Sequence, residues 1–286
     1  MRKALVLGGG GIVGVAWENA ILAGLMEGGV DVRDADLIVG TSAGSIVGTQ
    51  IARGRDPRDL LREWRERSSE APPPGRMPSR EEMAPAFILW ASFDEVTSEA
   101  CAAVGKAALA TPTMSEAELL ARFGEVGAEG WPAKPLLITG VDCESGELRV
   151  FDSNSGVPIE LAIAASCSVP GMFPPVTIEG RRYTDGGVAS GTSAQLAHCI
   201  EPEVVLIIAP MGGGVSRLGA QIARTMAREI AGLEAAGAKV TLVQFDNATR
   251  AAAGTSLMDA VGAPAAATSG EAQGRRLASD VAEFWQ

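Results

Sequence analysis

The sequence predicts an α/β protein with a mainly parallel central sheet and helices on both faces. Short apolar, β-prone runs alternate with segments of helical periodicity, which is typical of parallel sheets covered on both faces. Two such runs, residues 204–208 and 240–245, flank a helix with one apolar stripe and form a β-α-β unit. A third run, residues 37–39, leads directly into a glycine-rich turn and another helix.

Length and composition predict one globular domain over residues 1–286. The 286 residues can bury a large core, and 47% of them are hydrophobic. No run approaches the roughly 18 uncharged apolar residues that a membrane-spanning helix needs. The net charge of −11 disfavours attraction to phosphate backbones, so we expect no nucleic-acid partner.

The four cysteines are widely spaced and include no C-x-x-C pair: Cys101, Cys143, Cys167 and Cys199. They predict neither a zinc site nor a disulfide framework, and we expect buried thiols in a reducing compartment. The first residues superficially resemble a signal peptide, but four consecutive glycines interrupt the apolar run, so a strand and a helix are the better interpretation. We therefore predict a cytoplasmic protein without a metal or a cofactor.

The first predicted strand, residues 4–7, ends in a glycine loop that reads G-G-G-G-I-V-G at residues 8–14. Helical spacing follows over residues 15–26. Such a loop leaves backbone N–H groups free at a helix N-terminus, where they can bind a phosphate, a carboxylate or a transient oxyanion.

Residues 37–47 predict a strand, a sharp turn and a helix, and the turn reads G-T-S-A-G at residues 40–44. This is the context of a nucleophile elbow, which makes Ser42 a candidate nucleophile. Gly40 and Gly44 lack a Cβ, so the backbone can take the cramped turn that lifts the hydroxyl onto a helix N-terminus. The alternative is a structural turn without chemistry.

A helical insert is predicted at about residues 54–132. It begins with a charged amphipathic helix over residues 56–69, and capping boxes at Ser79 and Ser115 predict the starts of further helices. The apolar cluster at residues 87–90 favours either core packing or a lid or acyl-chain site.

Two hairpins and a short helix are predicted after the insert. The first hairpin pairs residues 135–141 with residues 148–151, and the second turns near Gly180 and leads into D-G-G at residues 185–187. An acidic residue followed by two glycines at a strand end can be presented into a cleft, although Asp-Gly is also a common turn.

A serine hydroxyl is a poor nucleophile unless a base accepts its proton. The chain has one histidine, His198, so a Ser-His-Asp triad would have to use it, and its helical context favours an exposed or core-edge position. Asp185 is the better candidate base. With an unperturbed pKa of about 3.9 it is ionised at neutral pH and could accept the proton directly within hydrogen-bond reach of Ser42.

The glycine loop, the G-T-S-A-G turn and the D-G-G segment occur in the same order as in the patatin-like phospholipase family, which the chain resembles. The segment P-G-M-F-P-P at residues 170–175 extends the resemblance, which covers most of residues 1–190. It implies a patatin-like fold and a lipid acyl hydrolase with a Ser-Asp dyad. Ser42 would form an acyl-enzyme with Asp185 as base, and the N–H groups of Gly10 and Gly11 would form the oxyanion hole.

The resemblance also implies that further glycines support the three motifs: Gly9, Gly14, Gly40, Gly44, Gly186 and Gly187. The substrate would be a lipid or acyl ester, with transient contact to a membrane surface. The family's loop usually carries Lys or Arg before its last glycine, where this chain has Val13. A neutral ester is therefore as suitable a substrate as a phospholipid.

Three other functions stay open. A lipid-binding relative with little turnover and an acyltransferase would share every residue named above. A dinucleotide-binding protein is suggested because residues 9–14 match G-x-G-x-x-G after a strand. However, the second strand ends in Gly40 rather than in the acidic residue that would hold the ribose.

Overall fold

The computed structural model describes residues 1–67, 79–213, 216–254 and 256–285. Eight strands in these residues form one sheet: β1 (Lys3–Leu7), β2 (Leu37–Gly40), β3 (Leu136–Asp142), β4 (Leu148–Phe151), β5 (Val176–Ile178), β6 (Arg181–Asp185), β7 (Val204–Ala209) and β8 (Lys239–Gln244). Strands next to each other in the series β5-β6-β3-β2-β1-β7-β8 are hydrogen-bonded, and β4 also pairs with β3.

Helices connect and cover these strands: α1 (Gly11–Glu27), α2 (Ala43–Ala52), α3 (Pro57–Arg67), α4 (Arg80–Ser92), α5 (Ser98–Ala110), α6 (Glu116–Ala121), α7 (Gly124–Gly127), α8 (Ile159–Ser166), α9 (Arg217–Ala235), α10 (Asn247–Ala253) and α11 (Ala263–Trp285). The predicted insert at about residues 54–132 contains α3 to α7 in its described part. None of the helices in the described residues is both long enough and apolar enough to span a membrane.

The sheet is mainly parallel. Strands β3, β2, β1, β7 and β8 pair in parallel in that order, whereas β4 and β6 are antiparallel to β3. Alternate residues of β1 enter different apolar clusters: Leu5 and Leu7 pack with α1 and α11, while Ala4 and Val6 pack with α9. Helices therefore cover both faces, and the predicted fold class is confirmed.

Several predicted boundaries agree closely with the structure. Both capping boxes are formed, with Ser79 before α4 and Ser115 before α6, and each side chain accepts from the N–H three residues on. Helix α1 begins at Gly11, four residues earlier than its apolar spacing predicts, and the last two residues of the predicted 56–69 helix lie outside the described residues.

The cysteine prediction needs one correction. All four are free thiols, and three of them are buried, but Cys199 is exposed. It lies near the end of a 3-10 helix (Ala194–Ile200), and burial, although partial, raises the pKa of its thiol.

Candidate active site

Strand register brings the ends of β2 and β6 together. On β3, Gly40 of β2 lies opposite Ile138, and Asp185 of β6 lies opposite Gly140. Strand β4 also pairs with both of these β3 residues, so it occupies the other edge. Strands β2 and β6 therefore share one edge of β3 and meet end to end, and the β3 partners of Gly40 and Asp185 are two positions apart, about 7 Å.

Ser42 stands at the sharp turn between β2 and α2. Its backbone has φ 53° and ψ −117°, a conformation that costs free energy for a residue with a side chain. The turn is crowded, because a Cβ at Gly44 would lie 2.0 Å from the Leu7 carbonyl oxygen and a Cβ at Gly40 would lie 2.6 Å from that of Gly44. The Ser42 N–H donates to Ser166 Oγ at 2.8 Å, so a hydrogen bond ties the turn to the C-terminal end of α8.

Asp185 is the last residue of β6 and is 2% exposed. Burial raises the pKa of its carboxyl to about 7, although the Gly187 N–H and the Ser42 hydroxyl stabilise the charged form and oppose this shift. The Gly187 N–H donates to Asp185 Oδ1 at 2.7 Å. A Cβ at Gly186 would lie 2.2 Å from Thr139 Oγ1, so the chain passes close to β3 here.

The glycine loop lies beside Ser42, at the start of α1. A Cβ at Gly9 would lie 3.5 Å from Ser42 Cβ, and the Gly9 N–H donates to the Gly191 carbonyl at 2.8 Å. Gly11 has φ +58° and packs against the backbone of Leu257. Within the described parts of the chain, no acceptor receives a hydrogen bond from the N–H of Gly10 or Gly11. The turn closes where the Gly14 N–H donates to the Gly10 carbonyl.

These elements surround a cavity of about 870 Å³. Its floor consists of the glycine loop and the two candidate catalytic residues: Gly9, Gly10, Gly11, Ser42 and Asp185. One wall, which we call the α4 wall, consists of the residues of that helix that line the cavity: Met83, Ala84, Phe87, Ile88 and Trp90. Other lining residues follow β7 and β8, and they include Pro210, Met211, Leu218 and Arg250.

The cluster at residues 87–90 is partly buried and partly exposed at the cavity. Trp90 is buried in an apolar cluster with Val169 and Met172, while Ile88 is 69% exposed at the cavity. His198 lies elsewhere: it is exposed, packs near Gly232 of α9, and does not line the cavity. In the described residues, no group of three or more His, Cys, Asp or Glu side chains could hold a metal ion.

Sequence reasoning missed Glu229, which supports the floor from α9. This carboxylate is buried and accepts from Ser190 Oγ at 2.6 Å, from Thr192 Oγ1 at 2.6 Å and from the Ala194 N–H at 3.1 Å. It therefore fixes the segment whose Gly191 carbonyl holds Gly9. Burial raises the pKa of Glu229 despite these hydrogen bonds. Its position on the inward stripe of α9, between Met226 and Leu233, was the signal available in the sequence.

The family model described as patatin-like phospholipase matches residues 5–198. Comparison with curated proteins finds no match. Among solved structures, VipD from Legionella pneumophila is similar over 98% of this chain and 67% of that chain, with 15% identity and a TM-score of 0.46. The type III effector protein ExoU is similar over 98% of this chain and 52% of that chain, with 16% identity and a TM-score of 0.42. This chain thus spans only about half the length of ExoU.

Proposed function

The chain belongs to the patatin-like phospholipase family, as its motifs predict, and from this premise we propose that it is a serine lipid acyl hydrolase. It would cleave carboxylic ester bonds of lipids or phospholipids through an acyl-enzyme on Ser42, with Asp185 as base. The observation that carries the proposal is the end-to-end meeting of β2 and β6, which brings both residues to the floor of one largely apolar cavity.

In the proposed reaction the Ser42 hydroxyl attacks the acyl carbonyl and its proton passes to Asp185. The tetrahedral oxyanion would lie against the N–H groups of Gly10 and Gly11, at the N-terminal end of α1. Asp185 would then protonate the leaving alcohol. A water would next attack the acyl-enzyme carbonyl and give a proton to Asp185, which returns it to Ser42 Oγ as the ester bond breaks and the acid leaves. A carboxyl pKa of about 7 suits this exchange, because a group that accepts and returns a proton works best near the ambient pH.

Two observations favour a dyad over a triad. The one histidine of the chain, His198, is exposed and does not line the cavity. Asp185 lies with Ser42 on the floor of the cavity, and the Ser42 hydroxyl stabilises its charged form and so lowers its pKa against the effect of burial. A Ser-His-Asp triad requires a histidine within hydrogen-bond reach of the serine, so the dyad is the better proposal.

The cavity also supports a lipid as substrate. The α4 wall presents only apolar side chains to the cavity, and we propose that the acyl chain lies along it. The exposed Ile88 would reach a membrane surface transiently when the substrate enters. Four free thiols support a reducing, cytoplasmic location as part of the proposal.

Labelling with a fluorophosphonate and hydrolysis of short-chain and long-chain p-nitrophenyl esters test the proposal. We expect stoichiometric labelling that Ser42→Ala abolishes, and a loss of hydrolysis of about 1,000-fold or more in Ser42→Ala and Asp185→Ala. His198→Ala should keep full activity. An inert wild type would favour a lipid-binding protein, and an inactive His198→Ala would require a triad. Product analysis with an added alcohol separates hydrolysis from acyl transfer.

A further inference from the structure

The cavity contains one side chain with a fixed positive charge among its described lining residues, Arg250 of α10. The only other ionisable group among them is Asp185, whose pKa of about 7 leaves it partly neutral. The chain as a whole carries a net charge of −11, so the charge of Arg250 is opposite in sign to that of the whole chain.

Contacts with two backbone segments hold Arg250 in place. Its Nη2 donates to the Phe245 carbonyl at 3.2 Å, and a Cβ at Gly213 would lie 2.4 Å from the same nitrogen. Within the described residues, no carboxylate lies in ion-pair contact with Arg250. The acidic residue on its own helix end, Asp246, instead caps α10 and pairs with Arg276. The remaining guanidinium N–H groups are therefore available to a ligand.

Arg250 and the floor lie at different depths of one cavity. Arg250 is exposed, whereas Ser42 is 6% exposed and Asp185 is 2% exposed. The two levels are connected, because Gly213 beside Arg250 is three residues from Pro210, and a Cβ at Gly10 would lie 2.7 Å from the Pro210 side chain. Three residues span at most about 11 Å, so a substrate with its ester at Ser42 can reach the guanidinium with its polar end.

We propose that Arg250 binds a phosphate group on the alcohol portion of the ester and so selects phosphate-bearing acyl esters over neutral ones. The inference rests on the proposed function and names the substrate class of the same site. A planar guanidinium offers two parallel N–H donors that match phosphate oxygens, and Arg250 combines this geometry with a place in a largely apolar cavity.

This assignment also answers the question that Val13 raises. Val13 is fully buried in the core and does not line the cavity, so the glycine loop supplies no cation there. Helix α10 supplies one instead, from a part of the chain beyond the residues that match the family model. A phosphate-bearing substrate is therefore favoured over a neutral ester.

Hydrolysis of two matched lipids tests the proposal. Lysophosphatidic acid and monoacylglycerol with the same acyl chain differ only in the phosphate. We expect Arg250→Gln to lower kcat/KM for lysophosphatidic acid about 10- to 100-fold and to leave monoacylglycerol within about twofold, while Arg250→Lys keeps part of the preference. Arg62→Gln removes an exposed cation from α3, away from the cavity, and should change neither substrate. Equal effects of Arg250→Gln on both lipids, or none, would overturn the proposal.

A binding measurement separates this inference from the proposed function, because it needs no turnover. Calorimetry with dodecyl phosphate should give an affinity at least about tenfold weaker for Arg250→Gln than for wild type, and inorganic phosphate should bind much more weakly than dodecyl phosphate. Arg250-dependent binding without hydrolysis of any ester would refute the hydrolase and keep the phosphate site. Equal binding by both proteins would refute the phosphate site, and equally tight binding of inorganic phosphate would refute its assignment to a lipid.

Discussion

The floor of the cavity and the α4 wall are held by different forces. Backbone hydrogen bonds between neighbouring elements fix the floor, such as Thr41 N–H to the Leu7 carbonyl and Gly44 N–H to the Gly8 carbonyl. The α4 wall instead packs through apolar side chains, with Trp90 against Val169. Backbone bonds fix atoms more narrowly than side-chain packing does. The floor is thus suited to position reacting groups, and the wall to accommodate a flexible chain.

The floor also contains two features that oppose folding. Ser42 has a positive φ, and Asp185 carries a carboxyl group that burial makes costly to ionise. Both lie where sheet register and close backbone contacts constrain the chain. The comparison therefore predicts that floor substitutions change chemistry or stability strongly, whereas wall substitutions change the fit of the substrate.

The largest effect concerns the cost of ionising Asp185. Its folded pKa of about 7 exceeds the unfolded value of about 3.9, so the stability that this group contributes is full below about pH 4 and is lost as pH rises to about 7. Asp185→Asn should therefore exceed wild type in free energy of unfolding by up to about 4 kcal/mol at about pH 9, and match it at about pH 4. Denaturant titrations at both pH values measure this.

Asp142 provides a control of opposite sign. It is also a buried aspartate, but hydrogen bonds from Arg181 and from two backbone N–H groups overcome its desolvation and lower the pKa to about 2. Its contribution to stability is present above about pH 4 and is lost as pH falls through about 2. Asp142→Asn should therefore destabilise the protein at neutral pH. Stabilisation by both variants, or by neither, would contradict the role of burial at Asp185.

The next effect concerns the glycine loop. A Cβ at Gly11 would lie 2.6 Å from the Leu257 carbonyl oxygen at a φ of +58°, so Gly11→Ala must displace the loop. We expect kcat on p-nitrophenyl esters to fall about 100-fold, the typical cost of losing one oxyanion donor. Gly54→Ala introduces the same kind of backbone strain at φ +78° with open space around it, and should keep full activity. Equal activity of the two variants would remove the loop from the proposed mechanism.

Substitution of Glu229, which supports the floor without lining the cavity, should lower kcat less than substitution of a floor residue. Glu229→Ala leaves Ser190 and Thr192 without their acceptor, and we expect a loss of about 2 kcal/mol in the free energy of unfolding. Because Gly191 then holds Gly9 less firmly, kcat should fall about tenfold with KM unchanged. Glu229→Gln keeps one acceptor and should recover most of the stability. A change in KM alone would indicate that this segment acts on substrate binding.

The residues of the floor could be singled out from the sequence because their backbone geometry requires particular residue types. Only glycine fits at residue 44, where a Cβ would lie 2.0 Å from the Leu7 oxygen, so the motif is visible in the sequence. The α4 wall could only be narrowed to two alternatives, because apolar residues look the same whether they face a core or a cavity. Arg250 and Glu229 were not identified: the stripe of α9 marks Glu229 as inward-facing, but the partners of both side chains lie on distant elements that no local pattern names.

The smallest effect concerns the rim of the α4 wall. Ile88 is 69% exposed, so only a small part of its side chain is shielded by the protein, and Ile88→Ser should change stability little. A bound long acyl chain would cover the exposed part, and its loss should raise KM for a long-chain ester about threefold with kcat unchanged, because this contact is the same in ground state and transition state. Leu109→Ser, an exposed apolar residue outside the cavity, is the matched control. An equal rise in KM for a short-chain ester would mean that Ile88 controls access to the floor and does not bind the acyl chain. The α4 wall would then not be specialised for the acyl chain at this residue.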